Sequence, residues 1–221
     1  ISKVSKKYNL WLHVDGAFGG SVIFTEKYKS LVKGVEKSDS FCFNAHKTLG
    51  VPLSTSVLVV NDVKCLEKSF GNKASYLYQT HDNDYNLGQT SFECGRRNNA
   101  LKLWTMWKSI GTKGISQIIN HEFDLADFAR EYVINNDNYK LYSFENSLSI
   151  CFNYKKYDPI DLCTKLYEKN KVMVGFGYFN KQCFIRLVTI NGENSKKDIL
   201  NFFKTLEEFV ESNKDLIKKI K

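Results

Sequence analysis

Leu12-His13-Val14-Asp15-Gly16-Ala17 and, farther on, Ser38-Asp39-Ser40-Phe41-Cys42-Phe43-Asn44-Ala45-His46-Lys47 decide how this chain is read. Each is an extended-type run that ends in a residue with chemistry, an aspartate in the first and a lysine in the second. Tyr8 to Val14 reads as a short apolar strand and Ser38 to Phe43 as another. Between them a glycine-rich turn leads through Ser21-Val22-Ile23-Phe24 into a helix-like stretch to Val35. A third run, Thr55 to Val60, is β-branched and nearly all apolar, as expected for a strand covered on both faces. Strands alternating with helical stretches make an α/β layer.

Working outward, Lys64 to Phe70 reads as a short helix, and 71–88 has no period and many polar residues, which predicts a long surface loop. From Asn98 the spacing of Ala100, Leu101, Leu103, Trp104 and Trp107 is helical and ends near Gly111. Ile115 to Asn135 forms a second amphipathic helix. An alternating strand (Leu148 to Phe152), a helix (Pro159 to Asn170), two strands (Val172 to Tyr178 and Cys183 to Thr189) and a helix (Lys196 to Glu211) follow as an α+β unit. Residues 1–103 and 104–221 are the expected domains. The first strand delivers Asp15 with no strands before it, so the chain reads as the carboxy-terminal part of something longer.

Composition narrows the class. The 221 residues are 43% hydrophobic and 14% aromatic, ample for a packed core. No segment has the roughly 18 uncharged residues of a membrane span, and the first residues lack an apolar signal region. No membrane association is expected. Six scattered cysteines without CxxC spacing read as reduced thiols, which favours the cytoplasm over an oxidising compartment and excludes a zinc site. The net charge of +8 comes from dispersed lysines without an arginine cluster or aromatic ladder. That pattern argues against nucleic acid and suits a positive pocket for anions.

The chemistry then rests on two residues. A carboxylate on a ring nitrogen and an amine on an aldehyde are what holding pyridoxal phosphate requires, and Asp15 and Lys47 supply them. Lys47 forms a Schiff base only when its amine is unprotonated, which calls for neighbours that lower its pKa. Taken alone, a lysine is more often an exposed charge, and Asp15 a turn or capping acid before Gly16-Ala17-Phe18-Gly19-Gly20.

Together these stretches resemble the group II pyridoxal-phosphate-dependent amino acid decarboxylases. His13-Val14-Asp15-Gly16-Ala17-Phe18-Gly19-Gly20 is similar to the family's HVDAAxGG, and Asn44-Ala45-His46-Lys47 to its NPHK. Ala74-Ser75-Tyr76-Leu77-Tyr78-Gln79 is similar to xxYLFQ. Cys94-Gly95-Arg96-Arg97 with Leu101-Lys102-Leu103-Trp104-Thr105-Met106-Trp107-Lys108 is similar to CGRxxDxxKxWxMWK, and Phe184-Ile185-Arg186-Leu187-Val188 to FxRxV. Three departures stand out: Ala45 for the proline, Gly16 for an alanine, and Asn99 for the aspartate of the Cys-Gly-Arg motif.

The resemblance implies fold type I of the PLP-dependent transferases, with part of the large mixed-sheet domain followed by a small α+β carboxy-terminal domain. It implies a homodimer and pyridoxal 5'-phosphate as cofactor. Asp15 would keep the pyridinium nitrogen protonated, Ala17 would lie against the ring, His46 would sit by the phosphate or the Schiff base, and Lys47 would hold the aldehyde. Tyr76 would return a proton to the substrate carbon once carbon dioxide has left, and Arg186 would grip the substrate carboxylate. Within the family the acidic amino acid branch fits best, with cysteine sulfinate or glutamate as substrate. A catalytically silent chain that binds a partner through the helix at Trp104 and Trp107 is the alternative. Another fold-type-I enzyme, a transaminase or desulfurase, would keep Asp15 and Lys47 without the Tyr76 and Arg186 matches.

Overall fold

A computed structural model describes residues 1–71, 90–93, 95 and 97–220. The chain divides into two compact units, Ile1–Ser116 and Gln117–Lys221, the second beginning inside the helix where the sequence reading sets a join at 103.

In the first unit, three strands lie in the order β1-β2-β3: β1 His13–Gly16, β2 Ser40–Asn44 and β3 Ser56–Val60. β1 and β2 run parallel with Asp15 opposite Cys42, and β3 returns antiparallel to β2. The Leu12 N–H donates to Asp39 Oδ2 at 2.7 Å, and the Asp39 and Ser40 N–H groups donate to the Leu12 carbonyl, which sets the register where the pair begins. The first strand is shorter than Tyr8 to Val14. Helix α1 (Ser2–Lys7) occupies the start, and Asn9 adopts a left-handed φ of 51°, so the chain is extended in a ladder only from His13.

The stretch to Val35 is not one helix. It forms three 3₁₀ turns, Gly20–Phe24, Lys29–Val32 and Val35–Lys37, and Gly34 at φ 98° precedes the last. Phe41 and Phe43 point to the covered face with Val22, Tyr28, Leu49 and Val51, and Phe24 meets Phe43 and Trp107 edge-on at 5.7 and 5.0 Å. Gly16 and Gly20 are required here. A Cβ on Gly16 would lie 2.7 Å from both the Cys42 carbonyl and the Phe41 ring, and one on Gly20 2.8 Å from that ring. Phe41 thus fills the space that side chains at 16 and 20 would need.

β3 departs from the expectation of cover on both faces, since Leu58 and Val59 are each about half exposed among the described residues. Helix α2 (Ala45–Thr48) is one turn, and α3 spans Lys64–Phe70. Helix α4 (Asn99–Ile134) is interrupted at Gly111, whose φ of 67° and ψ of 174° are open to glycine alone. The sequence reading places the break there. The predicted loop at 71–88 lies almost wholly outside the described residues.

In the second unit an antiparallel sheet has the order β4-β5-β7-β6: β4 Tyr139–Leu141, β5 Ser149–Tyr154, β6 Gly175–Phe179 and β7 Gln182–Val188. Asn180 and Lys181, both with positive φ, make the tight β6–β7 turn. Helix α5 (Pro159–Glu168) starts with proline behind an Asp158 cap, and α6 (Lys196–Ser212) with a Ser195/Asp198 capping box. The core is aromatic: Phe203 stacks on Tyr132 at 4.2 Å and packs on Phe152 and Tyr139. Glu207 accepts from both tyrosine hydroxyls at 2.9 Å. Burial and that carboxylate push the Tyr132 phenol up to about 12. Both phenols therefore stay protonated and serve as donors.

Candidate active site

Parallel strands that end side by side put their following residues on one edge of the sheet, where ligands of open α/β sheets bind. Here β1 ends at Asp15-Gly16 and β2 at Asn44. The Asn44 N–H donates to the Ala17 carbonyl at 3.2 Å and ties the two exits together. Asp15 Oδ1 accepts from the Ala17 N–H at 2.9 Å and from the Cys42 thiol at 3.6 Å. Those two contacts, with the His13 and Lys47 charges, hold the carboxyl below the usual carboxylate range. Oδ2 has no hydrogen bond among the described residues. Ala17, its N–H spent on Asp15 and its carbonyl on Asn44, is pinned and half-buried.

Lys47 lies in α2, half-buried, with no hydrogen bond or ion pair among the described residues. Its neighbour His46 is clipped to Thr55: ring Nδ1 sits 3.0 Å from the Thr55 N–H and 2.9 Å from its carbonyl. Both contacts use the same nitrogen, so the ring plane is fixed and Nε2 stays out of the clip. Ala45 is the first residue of α2, where a proline ring and an alanine are equally at home. The replacement at Gly16 follows from Phe41, which leaves no room for a methyl group.

This edge suits pyridoxal phosphate on its own geometry. An anionic carboxylate with one oxygen uncommitted among the described residues can take a pyridinium N–H, and an amine without a partner among them can take the aldehyde. Tyr76 lies outside the described residues, as do Cys94 and Arg96. Arg186 belongs to the second unit: it is exposed on β7 opposite Cys151, and its Nε–H donates to Ser149 Oγ at 3.2 Å. A cleft of about 540 Å³ opens on the first sheet, lined by residues that include Trp11, His13, Leu58 and Cys65, but neither Asp15 nor Lys47 borders it. It is a groove over the uncovered sheet face and not the reacting edge. Sequence reasoning passed over Thr55 and Cys42, which touch His46 and Asp15. Alternation along β2 could have flagged Cys42 once its pairing with β1 was known.

A sheet-edge aspartate paired with a lysine one strand over defines the site class, that of fold type I proteins that hold pyridoxal phosphate. The chain belongs to the pyridoxal-dependent decarboxylase family, whose conserved domain matches residues 1–155. It is 30% identical over 221 residues to an acidic amino acid decarboxylase of Mus musculus, covering 90% of this chain and 40% of that protein. Over 156 residues it is 35% identical to the cysteine sulfinic acid decarboxylase of Homo sapiens, covering 69% of this chain and 32% of that one. The crystal structure of mouse CSAD superposes with a TM-score of 0.84 at 28% identity, covering 94% of this chain and 47% of that chain. The chain therefore spans less than half the length of these relatives. Among the described residues, no helix is long and apolar enough to cross a membrane.

Proposed function

We propose that this chain carries the aspartate-and-lysine part of a carboxy-lyase site that decarboxylates an acidic amino acid, cysteine sulfinate or glutamate. The observation that carries the reading is the pairing of Asp15 and Lys47 at adjacent parallel strand ends, with the carboxyl held anionic and the amine without a partner among the described residues. Bound pyridoxal phosphate would supply an electron sink for the carbon that loses carbon dioxide. Asp15 keeps a proton on the ring nitrogen by offering it a carboxylate, and Lys47 binds and releases the aldehyde. His46, fixed by Thr55, presents Nε2 to the phosphate side. Arg186 offers a planar donor to a substrate carboxylate. Tyr76 is proposed as the acid that protonates the substrate carbon. The acidic substrate rests on the names of the relatives, and the basic charge of the chain suits it. A homodimer of cytoplasmic protein completes the reading.

One observation favours the alternative of a silent, partner-binding chain: Leu101 and Trp104 of α4 are about half exposed. Borohydride reduction of the purified protein with pyridoxal phosphate, followed by peptide mapping, separates the two. A label at Lys47 and carbon dioxide release from cysteine sulfinate, glutamate or aspartate are expected. Scattered or absent label would sink the enzyme reading, and an amine transferred without carbon dioxide would point to a transaminase.

A further inference from the structure

The sheet face that presents Asp15 also carries a row of polar groups. Side chains two residues apart on a strand share a face, and the parallel register sets Ser40 beside His13 and Cys42 beside Asp15. The Trp11 indole N–H donates to Ser40 Oγ at 2.9 Å, and His13 Nδ1 lies 2.7 Å from the same oxygen. His13 Nε2 lies 3.7 Å from Cys42 Sγ, and the thiol reaches Asp15 Oδ1 at 3.6 Å.

An indole N–H can only donate, so Ser40 Oγ accepts from Trp11 and keeps its own proton for a further acceptor. That acceptor is His13 Nδ1. With the imidazole in its neutral form, the ring proton sits on Nε2 and is offered to the Cys42 sulfur. The thiol proton is left with one acceptor, the Asp15 carboxylate. All four hydrogens point toward the acid.

Resting on the reading of the site as one for pyridoxal phosphate, we infer that Cys42, backed by His13 and Ser40, is a positioning residue for Asp15. Its S–H shares Oδ1 with the Ala17 N–H, which commits that oxygen and leaves Oδ2 for the ring nitrogen. Weak as a thiol donor is, it comes from the neighbouring strand β2, whereas Ala17 follows the acid on its own chain segment.

The test has two arms. Without cofactor, iodoacetamide labelling of wild type and Asp15→Ala is followed by mass spectrometry at Cys42 and at Cys65 of the same unit. Removing the acceptor and its charge is expected to speed labelling at Cys42 several-fold and leave Cys65 unchanged. An unchanged Cys42 rate, or equal acceleration at both, would overturn the inference. With cofactor, pyridoxal phosphate titrations followed by absorbance compare wild type, Cys42→Ala and Cys42→Ser. The alanine variant is expected to bind about fivefold more weakly, one net hydrogen bond, and serine to restore the affinity. Equal binding by alanine and wild type, with Lys47 trapped by borohydride, refutes the positioning role. Failure to trap Lys47 in wild type counts against the enzyme reading instead, and the labelling arm still decides the role of Cys42.

Discussion

Glu122 is fully buried in the second unit, and neither carboxylate oxygen has a hydrogen-bond partner among the described residues. Burial pushes its pKa from 4.5 up to about 9, so the side chain is neutral in the folded protein at pH 7. The folded value lies above the unfolded one. Whatever stability this site allows is therefore fully present below about pH 4.5 and is lost progressively as pH rises to about 9, because only the unfolded chain gives up the proton. At about 1.4 kcal/mol per pH unit, the loss is about 3 kcal/mol at pH 7 and levels off near 6 kcal/mol above pH 9. Glu122→Met keeps most of the volume and removes the titration. The variant should match wild type near pH 4.5 and exceed it by about 3 kcal/mol at pH 7, less any repacking cost of about 1 kcal/mol. Opening free energies from amide hydrogen exchange of the β5 and α6 peptides, measured from pH 5 to 8, report on this unit. Parallel pH profiles for the two proteins would refute the argument, since they would mean that Glu122 ionises as freely in the fold as in the unfolded chain.

Other outcomes follow from other sites. Gly16→Ala should destabilise the first unit by about 1–3 kcal/mol through collision with Phe41 and the Cys42 carbonyl, read by urea unfolding, and Phe41→Leu should recover part of the loss. Gly111→Ala forces a Cβ into a conformation only glycine adopts and should cost about 1–3 kcal/mol, visible as a lower melting temperature. Ser195→Ala removes half of a capping box and should cost about 1 kcal/mol, with faster exchange in the first turn of α6. Thr55 holds His46 through its backbone alone, so Thr55→Ser should leave pyridoxal phosphate affinity unchanged within twofold, whereas His46→Ala should weaken it.

Much of this was legible in the sequence because the informative signals were local. Asp15 and Lys47 stood at the ends of apolar runs, Gly111 broke a helical period, and Pro159 and Ser195 carried their helix starts with them. The misreadings were tertiary in origin. Leu10-Trp11-Leu12 has strand composition, yet the helix before it and the left-handed Asn9 delay pairing until Asp39 can meet Leu12. The period from Ser21 to Val35 is helical, yet the turns are tighter and bury only Ser21, Val22, Thr25 and Tyr28. β4, three residues long, is below what alternation can register. The polar row behind Asp15 joins residues up to 29 apart, a relation that only the strand register creates.

That register has a further consequence for how the protein must fold. Side chains on a strand alternate between faces, so sliding β1 by a single residue against β2 would turn Asp15 toward the aromatic face and offer Val14 or Gly16 in its place. β1 is only four residues long and, among the described residues, has one neighbour, so its ladder alone discriminates weakly between the two alignments. The discrimination falls to Phe41, whose ring lies where side chains at 16 and 20 would stand and tolerates only glycine there. Gly16 thus acts as a proofreading mark: a chain that closes out of step cannot seat Phe41, and faithful placement of the acid is enforced by packing on the side of the sheet away from the chemistry.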